Sequence, residues 1–136
     1  MIRPWFRHAA VPWKTTVTQT RASGENRVST KPGVLQIDEG EEPAETAARE
    51  LEEETGYRAG SVEHLITFQP MVGMVDSEHV VFVGRDAEKI GEPTEGNEIE
   101  RMEWVPLASV PGLIDAGEIW NSGSLVALMR LMLPER

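Results

Sequence analysis

Three glutamates with helical spacing are the residues of this sequence whose types and positions most directly suggest chemistry. Glu50, Glu53 and Glu54 stand at positions i, i+3 and i+4, which are neighbours on the surface of an α-helix. Their negative charges repel one another, and a hard divalent cation that prefers oxygen ligands would offset that repulsion. The spacing alone leaves a second interpretation open, an acidic helix face that water solvates.

The helix that must carry these carboxylates is predicted over 43–55. Pro43 suits the first position of a helix, and Gly56 suits the position just past its end. On a helical wheel at about 100° per residue, an apolar stripe lies beside the acidic face and would pack against the rest of the protein. That stripe consists of Ala44, Ala47, Ala48, Leu51 and Thr55.

Around this helix, the chain alternates between strand patterns and helix patterns. The predicted strands cover 14–20, 27–30, 34–37, 61–69, 78–84 and 100–105, and two further helices are expected within 107–116 and 124–133. Pro32 and Gly33 are expected to break the chain after the second strand, and Pro106 to end the last one. Strands mixed with a few helices in one small chain predict an α+β fold with a sheet covered by helices.

Length and composition limit the class of protein. The 136 residues predict a single domain over 1–136, and the absence of cysteine excludes a disulfide framework and a thiolate zinc site. No apolar run approaches the roughly 18 residues that cross a bilayer, and the N-terminus has no apolar block of the secretory kind. We therefore expect a cytoplasmic protein with no membrane partner.

Charge is distributed unevenly along the chain. The formal net charge is −10, yet residues 1–33 hold six Lys or Arg against one acid (+5), whereas 34–136 hold seven against 22 (−15). The overall negative charge argues against nucleic acid as a partner. The basic segment 1–33 would help to hold an anionic substrate beside a metal-loaded acidic site, unless it is ordinary surface charge.

The sequence around the acidic helix resembles the signature of the Nudix hydrolases. That box reads Gly, five residues, Glu, seven residues, and then Arg-Glu-apolar-any-Glu-Glu-any-Gly-apolar. Here Glu41 is followed by seven residues and by the run Arg49-Glu50-Leu51-Glu52-Glu53-Glu54-Thr55-Gly56-Tyr57, so that every position from Glu41 onward matches. The resemblance implies an α/β/α sandwich with a mixed central sheet and helices on both faces.

One position departs from the box. Its first glycine should stand at position 35, where this sequence has Leu35. In many members of the family, the carbonyl just before that glycine reaches a metal, which implies Val34 as a ligand here. Because leucine resists the unusual φ values that glycine adopts, Leu35 implies a rearranged loop, a weakened metal site or reduced activity.

The resemblance implies a role for each acidic or basic box residue. Glu50 and Glu54 resemble the principal metal ligands, and Glu53 a third ligand or the residue that orients water. Arg49 resembles the arginine that holds a box carboxylate in place, and Glu41 a further ligand or a group behind the ligands. The implied ion is Mg²⁺, with Mn²⁺ as the alternative.

Over about 34–133, the chain also resembles one branch of the family, the ADP-ribose and nucleoside-diphosphate-sugar pyrophosphatases. In that branch, a loop glutamate often serves as catalytic base or extra metal ligand. Glu98 is the closest match to that glutamate, and Glu95 and Glu100 are alternatives. Members of the branch are commonly dimers, so the Trp- and Phe-bearing segment 1–33 is compatible with a homodimer.

Four residues outside the box are candidates for substrate contact. Arg21 and Arg27 are plausible phosphate or ribose contacts because of their charge. Ser77 and Glu78 fall where the branch often has a polar pair on the substrate side, although strand-edge surface residues would look the same. The base and sugar specificity stay open, because loops and the N-terminal segment make those contacts.

The reaction implied by the resemblance is hydrolysis of the diphosphate bond of a nucleoside diphosphate linked to another group. ADP-ribose or a nucleoside-diphosphate sugar is the expected substrate. One alternative is a pyrophosphatase of nucleoside triphosphates, including damaged ones. The other is a binding module that keeps the fold without turnover because of Leu35.

Overall fold

The computed structural model describes residues 13–20, 27–34, 39–74, 78–94 and 104–134, the first two ranges as backbone only. The strands are β1 (Trp13–Thr20), β2 (Arg27–Val34), β3 (Tyr57–Arg58), β4 (Ser61–Phe68), β5 (His79–Arg85), β6 (Glu88–Lys89) and β7 (Val105–Pro106). The α-helices are α1 (Pro43–Thr55), α2 (Val110–Asp115) and α3 (Ser122–Met132), and a 3₁₀ turn (Leu107–Ser109) precedes α2. None of the described helices has the length and apolar character needed to cross a membrane.

A five-stranded mixed sheet forms the centre of the fold, in the order β4-β5-β1-β2-β7. Strands β1 and β5 run parallel, and the other neighbours in this sheet are antiparallel. A second, two-stranded sheet pairs β3 with β6. Strand β3 begins two residues after the last residue of α1. This arrangement confirms the predicted α+β class with a mixed sheet.

Helices α1 and α3 cover opposite faces of the central sheet. Val81 of β5 belongs to the buried cluster that contains Ala127 and Leu128 of α3. Gly84 of the same strand instead faces α1, since a Cβ placed there would lie 3.2 Å from Leu51 Cδ2. Successive strand residues point to opposite faces, so the odd-numbered and even-numbered positions of β5 contact different helices.

Gly84 determines how closely the acidic helix approaches the sheet. Besides Leu51, a Cβ at this position would lie 3.1 Å from the Cβ of Ala59, which is closer than ordinary van der Waals contact. The absence of a side chain lets Leu51 pack on β5, where it is only 2% exposed. The apolar stripe of α1 is thereby fixed, and with it the direction of the acidic face.

The strongest sequence patterns gave the boundaries of the central elements closely. The helix predicted over 43–55 is confirmed as α1, and the strands predicted over 14–20, 61–69 and 78–84 are confirmed within one residue at each end. Ala47, Leu51 and Thr55 of the predicted stripe are buried, whereas Ala44 and Ala48 are half-buried. Two predicted strands fall largely outside the described residues. Of the strand predicted over 34–37 only residue 34 is described, and of that predicted over 100–105 only residues 104 and 105 are.

One prediction based on proline was wrong and another was confirmed. Strand β2 continues through Pro32 and Gly33 as far as Val34, whereas β7 ends at Pro106 as predicted. Because β7 pairs only with Arg27 and Val28, Pro32 lies on a stretch of β2 whose outer edge has no partner among the described strands. A proline, which cannot donate to a strand ladder, is compatible with such an edge.

Candidate active site

The N-terminal end of α1 is held by contacts that are local in sequence. The backbone N–H of Glu42 donates to Glu45 Oε2 at 3.2 Å, and the N–H of Thr46 donates to the Glu42 carbonyl at 3.0 Å. Pro43 occupies the first helical position, where its missing N–H costs no intrahelical hydrogen bond. The helix therefore begins where its own sequence specifies.

Arg49 connects two acidic residues across the start of the helix. Its Nε and Nη2 donate to Glu41 Oε1 and Oε2, both at 3.1 Å, and its Nη1 donates to Glu53 Oε2 at 3.1 Å. The hydroxyl of Thr46 also donates to Glu41 Oε2, at 2.8 Å. Both oxygens of Glu41 are thus hydrogen-bonded, and the guanidinium holds a box carboxylate as the resemblance implied.

Glu50 and Glu54 lie one helical turn apart beside this network. Glu50 is buried, with 7% of its surface exposed, whereas Glu53 and Glu54 are half-buried. Burying a carboxylate is unfavourable unless hydrogen bonds or a positive charge compensate it. The acidic face is therefore a partly desolvated set of oxygen donors rather than a fully solvated surface.

The donor chemistry of this face fits a hard divalent cation. Among the residues that the structure describes, no three Asp, Glu or His side chains converge into a ready-made metal cage. Mg²⁺, however, is usually bound through one or two carboxylates together with water and substrate phosphates. Glu50, Glu53 and Glu54 can supply such ligands without a preformed trio. Val34, whose carbonyl the resemblance implied as a ligand, is the last residue of β2.

The C-terminal end of α1 is held by residues that are distant in sequence. Gly56 has a left-handed φ of 73°, and its N–H donates to the Glu52 carbonyl at 2.9 Å. Its own carbonyl accepts the N–H groups of Ile90 at 2.9 Å and Gly91 at 3.3 Å. A Cβ on Gly56 would overlap the carbonyl oxygen of Gly91. Both the backbone conformation and this close approach therefore require glycine at position 56.

Two further contacts join this helix end to the later part of the chain. The N–H of Thr94 donates to the Glu53 carbonyl at 2.9 Å, and its hydroxyl donates to the same oxygen at 3.4 Å. The rings of Tyr57 and Trp104 meet edge to face, with their centroids 5.2 Å apart. Thr94 thus contacts the last turn of the helix, and Trp104 contacts the residue that follows Gly56.

Glu52 differs from the other glutamates of the acidic run. Its carboxylate accepts hydrogen bonds from Arg58 Nε at 2.9 Å and Arg58 Nη2 at 2.8 Å. The hydrogen bond from Arg58 lowers the pKa of Glu52 below its ordinary value. Because this pair lies at the surface, Glu52 is a matched reference for the residues of the acidic face.

The remaining residues predicted to form the site fall into two groups. Arg27 is the first residue of β2, and Glu78 is an exposed residue immediately before β5. The others, which are Arg21, Leu35, Ser77, Glu95, Glu98 and Glu100, lie outside the described residues. Their roles stay predictions.

Four contact residues were missed by the sequence analysis. Thr46 is a polar residue that is completely buried one turn before Glu50, and its place among alanines was a usable signal. Gly91, Thr94 and Trp104 carried no such signal, because nothing in their local sequence shows which part of the chain they contact. The tertiary structure alone brings them to the acidic helix.

The family model described as the NUDIX domain matches residues 36–127. The chain belongs to the NUDIX domain family. This membership confirms the resemblance seen in the box. The Nudix family generally uses divalent metal ions, in agreement with the oxygen donors of the acidic face.

The chain is similar to two curated proteins and to one solved structure. It is 46% identical over 101 residues to the CMP-5'-(N-acetyl-N-hydroxy-3-aminopropyl)phosphonate hydrolase of Streptomyces rubellomurinus, covering 74% of this chain and 48% of that protein. It is 34% identical over 102 residues to the ADP-ribose pyrophosphatase of Bacillus subtilis, covering 73% and 55%. The chain spans about half the length of these relatives.

The solved structure is described as an ADP compounds hydrolase. It superposes with a TM-score of 0.66 over 90% of this chain and 72% of that one, at 22% sequence identity. At this identity, the similarity establishes the fold alone. The neighbour therefore confirms the Nudix-like architecture described above.

Proposed function

We propose that this chain uses a divalent metal ion to hydrolyse the diphosphate bond of a nucleoside diphosphate linked to another group. ADP-ribose or a nucleoside-diphosphate sugar is the favoured substrate. The observation that carries the proposal is the acidic face of α1, where buried Glu50 lies one turn from Glu54 and Arg49 joins Glu53 to Glu41. The products would be a nucleoside monophosphate and the phosphorylated second group.

Mg²⁺ is the proposed ion, with Mn²⁺ as the alternative. Glu50, Glu53 and Glu54 would hold it, and the carbonyl of Val34 would add a neutral oxygen ligand. When bound, a divalent ion offsets the negative charge of the diphosphate and of the transition state. Glutamate oxygens on one helix face suit this ion, which prefers hard ligands.

Arg49 and Glu41 would orient the metal ligands without binding the ion themselves. Arg49 is anchored to Glu41 by two hydrogen bonds and uses its third contact to orient Glu53. Because both oxygens of Glu41 already accept hydrogen bonds, we assign Glu41 the role of holding this network rather than binding the ion directly. A bidentate guanidinium pair gives the orientation that a single ammonium contact would not.

Glu98 is the proposed base, and Glu95 and Glu100 are the alternatives. A carboxylate within hydrogen-bond reach of the attacking water can accept its proton as the bond to phosphorus forms.

Arg21 and Arg27 would contact the phosphate or ribose of the substrate. Ser77 and Glu78 would line the substrate side of the site. We also retain, as proposals, a cytoplasmic location and a homodimer to which 1–33 contributes.

A second candidate substrate class is a CMP-linked phosphonate. The relative with 46% identity carries that substrate in its name, whereas the Bacillus relative named for ADP-ribose is 34% identical. Both substrate classes join a nucleoside monophosphate through phosphorus to a second group. The same acidic face would therefore serve either one, and the difference would lie in the residues that contact the base and the second group.

A substrate panel tests the proposal. The purified chain would be incubated with Mg²⁺ or Mn²⁺ and with ADP-ribose, UDP-glucose, CMP-linked phosphonates and nucleoside triphosphates, and the products would be identified by chromatography. We expect a nucleoside monophosphate from at least one diphosphate-linked substrate. Preferred turnover of triphosphates would favour the triphosphate pyrophosphatase. Ligand binding by a folded protein without any turnover would favour the binding module.

Leu35→Gly tests the binding-module alternative directly. If leucine weakens the metal site, this change should raise the affinity for Mg²⁺ measured by calorimetry, because glycine permits the backbone conformations that the family uses at this position. An unchanged affinity would show that the loop has adapted to leucine. Turnover by the unaltered chain would rule out the module whatever the calorimetry shows.

A further inference from the structure

The last turn of α1 has a backbone acceptor that the helix itself does not satisfy. The final carbonyls of any α-helix lack intrahelical partners. The Glu52 carbonyl accepts the N–H of Gly56, whereas the Glu53 carbonyl accepts the N–H of Thr94 at 2.9 Å and its hydroxyl at 3.4 Å. Thr94 lies 41 residues beyond Glu53, so this cap comes from a distant part of the chain.

The segment 88–94, here called the capping segment, is itself attached to the helix end. Its first two residues form β6 and pair antiparallel with β3, directly after the helix. The N–H groups of Ile90 and Gly91 then donate to the Gly56 carbonyl. Thr94 therefore reaches Glu53 from a segment that hydrogen bonds hold along its length.

Glu53 is consequently held at two places. Arg49 holds its carboxylate from the N-terminal side at 3.1 Å, and Thr94 holds its carbonyl from the C-terminal side at 2.9 Å. Helix ends otherwise fray readily. Fraying of this turn would move Glu53 and Glu54 relative to Glu50, which lies a full turn earlier and is buried.

We propose that Thr94 is a positioning residue for the metal site. By capping the Glu53 carbonyl, it keeps the last turn of α1 helical, so that Glu53 and Glu54 face the same ion as Glu50. This inference rests on the proposed function, because it requires the acidic face to bind a divalent cation. It has one consequence that a purely structural cap lacks, which is that the Thr94 contact and metal binding stabilise each other.

Hydrogen exchange on the unaltered chain tests this reciprocity. If opening of the Thr94 contact abolishes metal binding, Mg²⁺ at ten times its Kd should slow exchange of the Thr94 amide about elevenfold. The reference is the amide of Gly60, which donates to the Arg85 carbonyl at 2.8 Å and lies outside the helix end. Slowing at Thr94 that does not exceed the slowing at Gly60 would overturn the inference.

A pair of variants tests the same contact from the side of the metal. Thr94→Pro removes the N–H donor, and we expect it to raise the Kd for Mg²⁺ by about threefold to tenfold, in line with loss of one hydrogen bond. Thr94→Ala keeps the N–H and is expected to retain most of the affinity. Unchanged Mg²⁺ affinity in a folded Thr94→Pro protein would contradict the inference. If that variant does not fold, the exchange experiment decides.

The outcomes separate this inference from the proposed function. If the unaltered chain neither binds Mg²⁺ nor hydrolyses any substrate of the panel, the proposed function fails and this inference fails with it. If the unaltered chain binds Mg²⁺ and turns over substrate but the Thr94 amide shows no selective protection, only this inference fails. Retained thermal stability in Thr94→Ala would confirm that the hydroxyl is the minor part of the contact.

Discussion

The two ends of the acidic helix are held in different ways. At the N-terminal end, Pro43 and the contacts of Arg49 with Glu41 lie within eight residues of one another in sequence. At the C-terminal end, Gly56 and Glu53 are held by Gly91 and Thr94, which come from a separate segment of the fold. The start of this helix is thus held by local contacts, whereas its end combines a local glycine cap with contacts from a distant segment.

The contacts that place Arg49 against Glu41 are local in sequence. The last turn, which carries Glu53 and Glu54, is held in addition by the capping segment. Changes at the two ends should therefore have different effects, and the following four predictions run from the largest to the smallest.

Glu54→Gln should have the largest effect, and it should act on turnover rather than on stability. Changing a residue that only orients a metal ligand already lowers metal affinity or activity by about tenfold to a hundredfold. Loss of a ligand itself should therefore reduce kcat by about a hundredfold or more. Glu52→Gln on the same turn is the matched control, because Glu52 pairs with Arg58 at the surface. Steady-state kinetics on the best substrate would check both, and similar activities would show that the ligand assignment is wrong.

Gly56→Ala should cause the largest loss of stability at the C-terminal end. The left-handed φ of 73° and the overlap with Gly91 should together lower the free energy of unfolding by about 2–4 kcal/mol. Gly91→Ala is the control, since a Cβ there meets no atom within 4 Å, and it should change stability by less than about 0.5 kcal/mol. Urea denaturation of both variants measures the difference. Equal losses of unfolding free energy in the two variants would show that the close approach of Gly56 to the Gly91 carbonyl does not require glycine at position 56.

Arg49→Lys, at the N-terminal end of the helix, should lower the free energy of unfolding by less than Gly56→Ala does. Lysine cannot reproduce the pair of hydrogen bonds to Glu41 while also contacting Glu53. The side chain is 35% exposed, so solvent screening limits the loss of unfolding free energy to about 1–2 kcal/mol. Thermal or urea unfolding would measure it. A loss of unfolding free energy larger than that of Gly56→Ala would show that the contacts of Arg49 stabilise the protein more than the contacts at the C-terminal end of α1.

Arg58→Gln should have the smallest effect, confined to the surface pair. The hydrogen bond from Arg58 lowers the pKa of Glu52, so removing the guanidinium should raise that pKa toward its ordinary value. A lowered pKa stabilises the folded state above the unfolded pKa, and this contribution is lost as the pH falls through the folded value. NMR titration of the Glu52 side chain would detect the shift, and an unchanged pKa would show that the ion pair does not persist in solution.

The limits of sequence-based prediction follow the same division. Pro43, Gly56 and the spacing of the glutamates identified α1 to the residue, because each signal acts within one or two turns. Pro32 was a poorer guide in the sheet, because β2 continues past it. Whether Pro32 ends a strand depends on which side of β2 has a neighbour, and β7 pairs only at the other end of that strand. The end of β2 was therefore the strand boundary that no local pattern identified.

The sequence by itself determined the acidic helix, the order of its carboxylates and the Nudix family, because the box encodes a continuous stretch of backbone and its charges. The family resemblance also implied that Arg49 pairs with a box carboxylate, and Arg49 contacts both Glu41 and Glu53. Only the tertiary structure decided that Glu50 is buried, that Gly84 admits Leu51 to the sheet, and that Thr94 caps Glu53. Those features depend on the approach of segments far apart in the chain, and the energy of such contacts exists only once the sheet has formed.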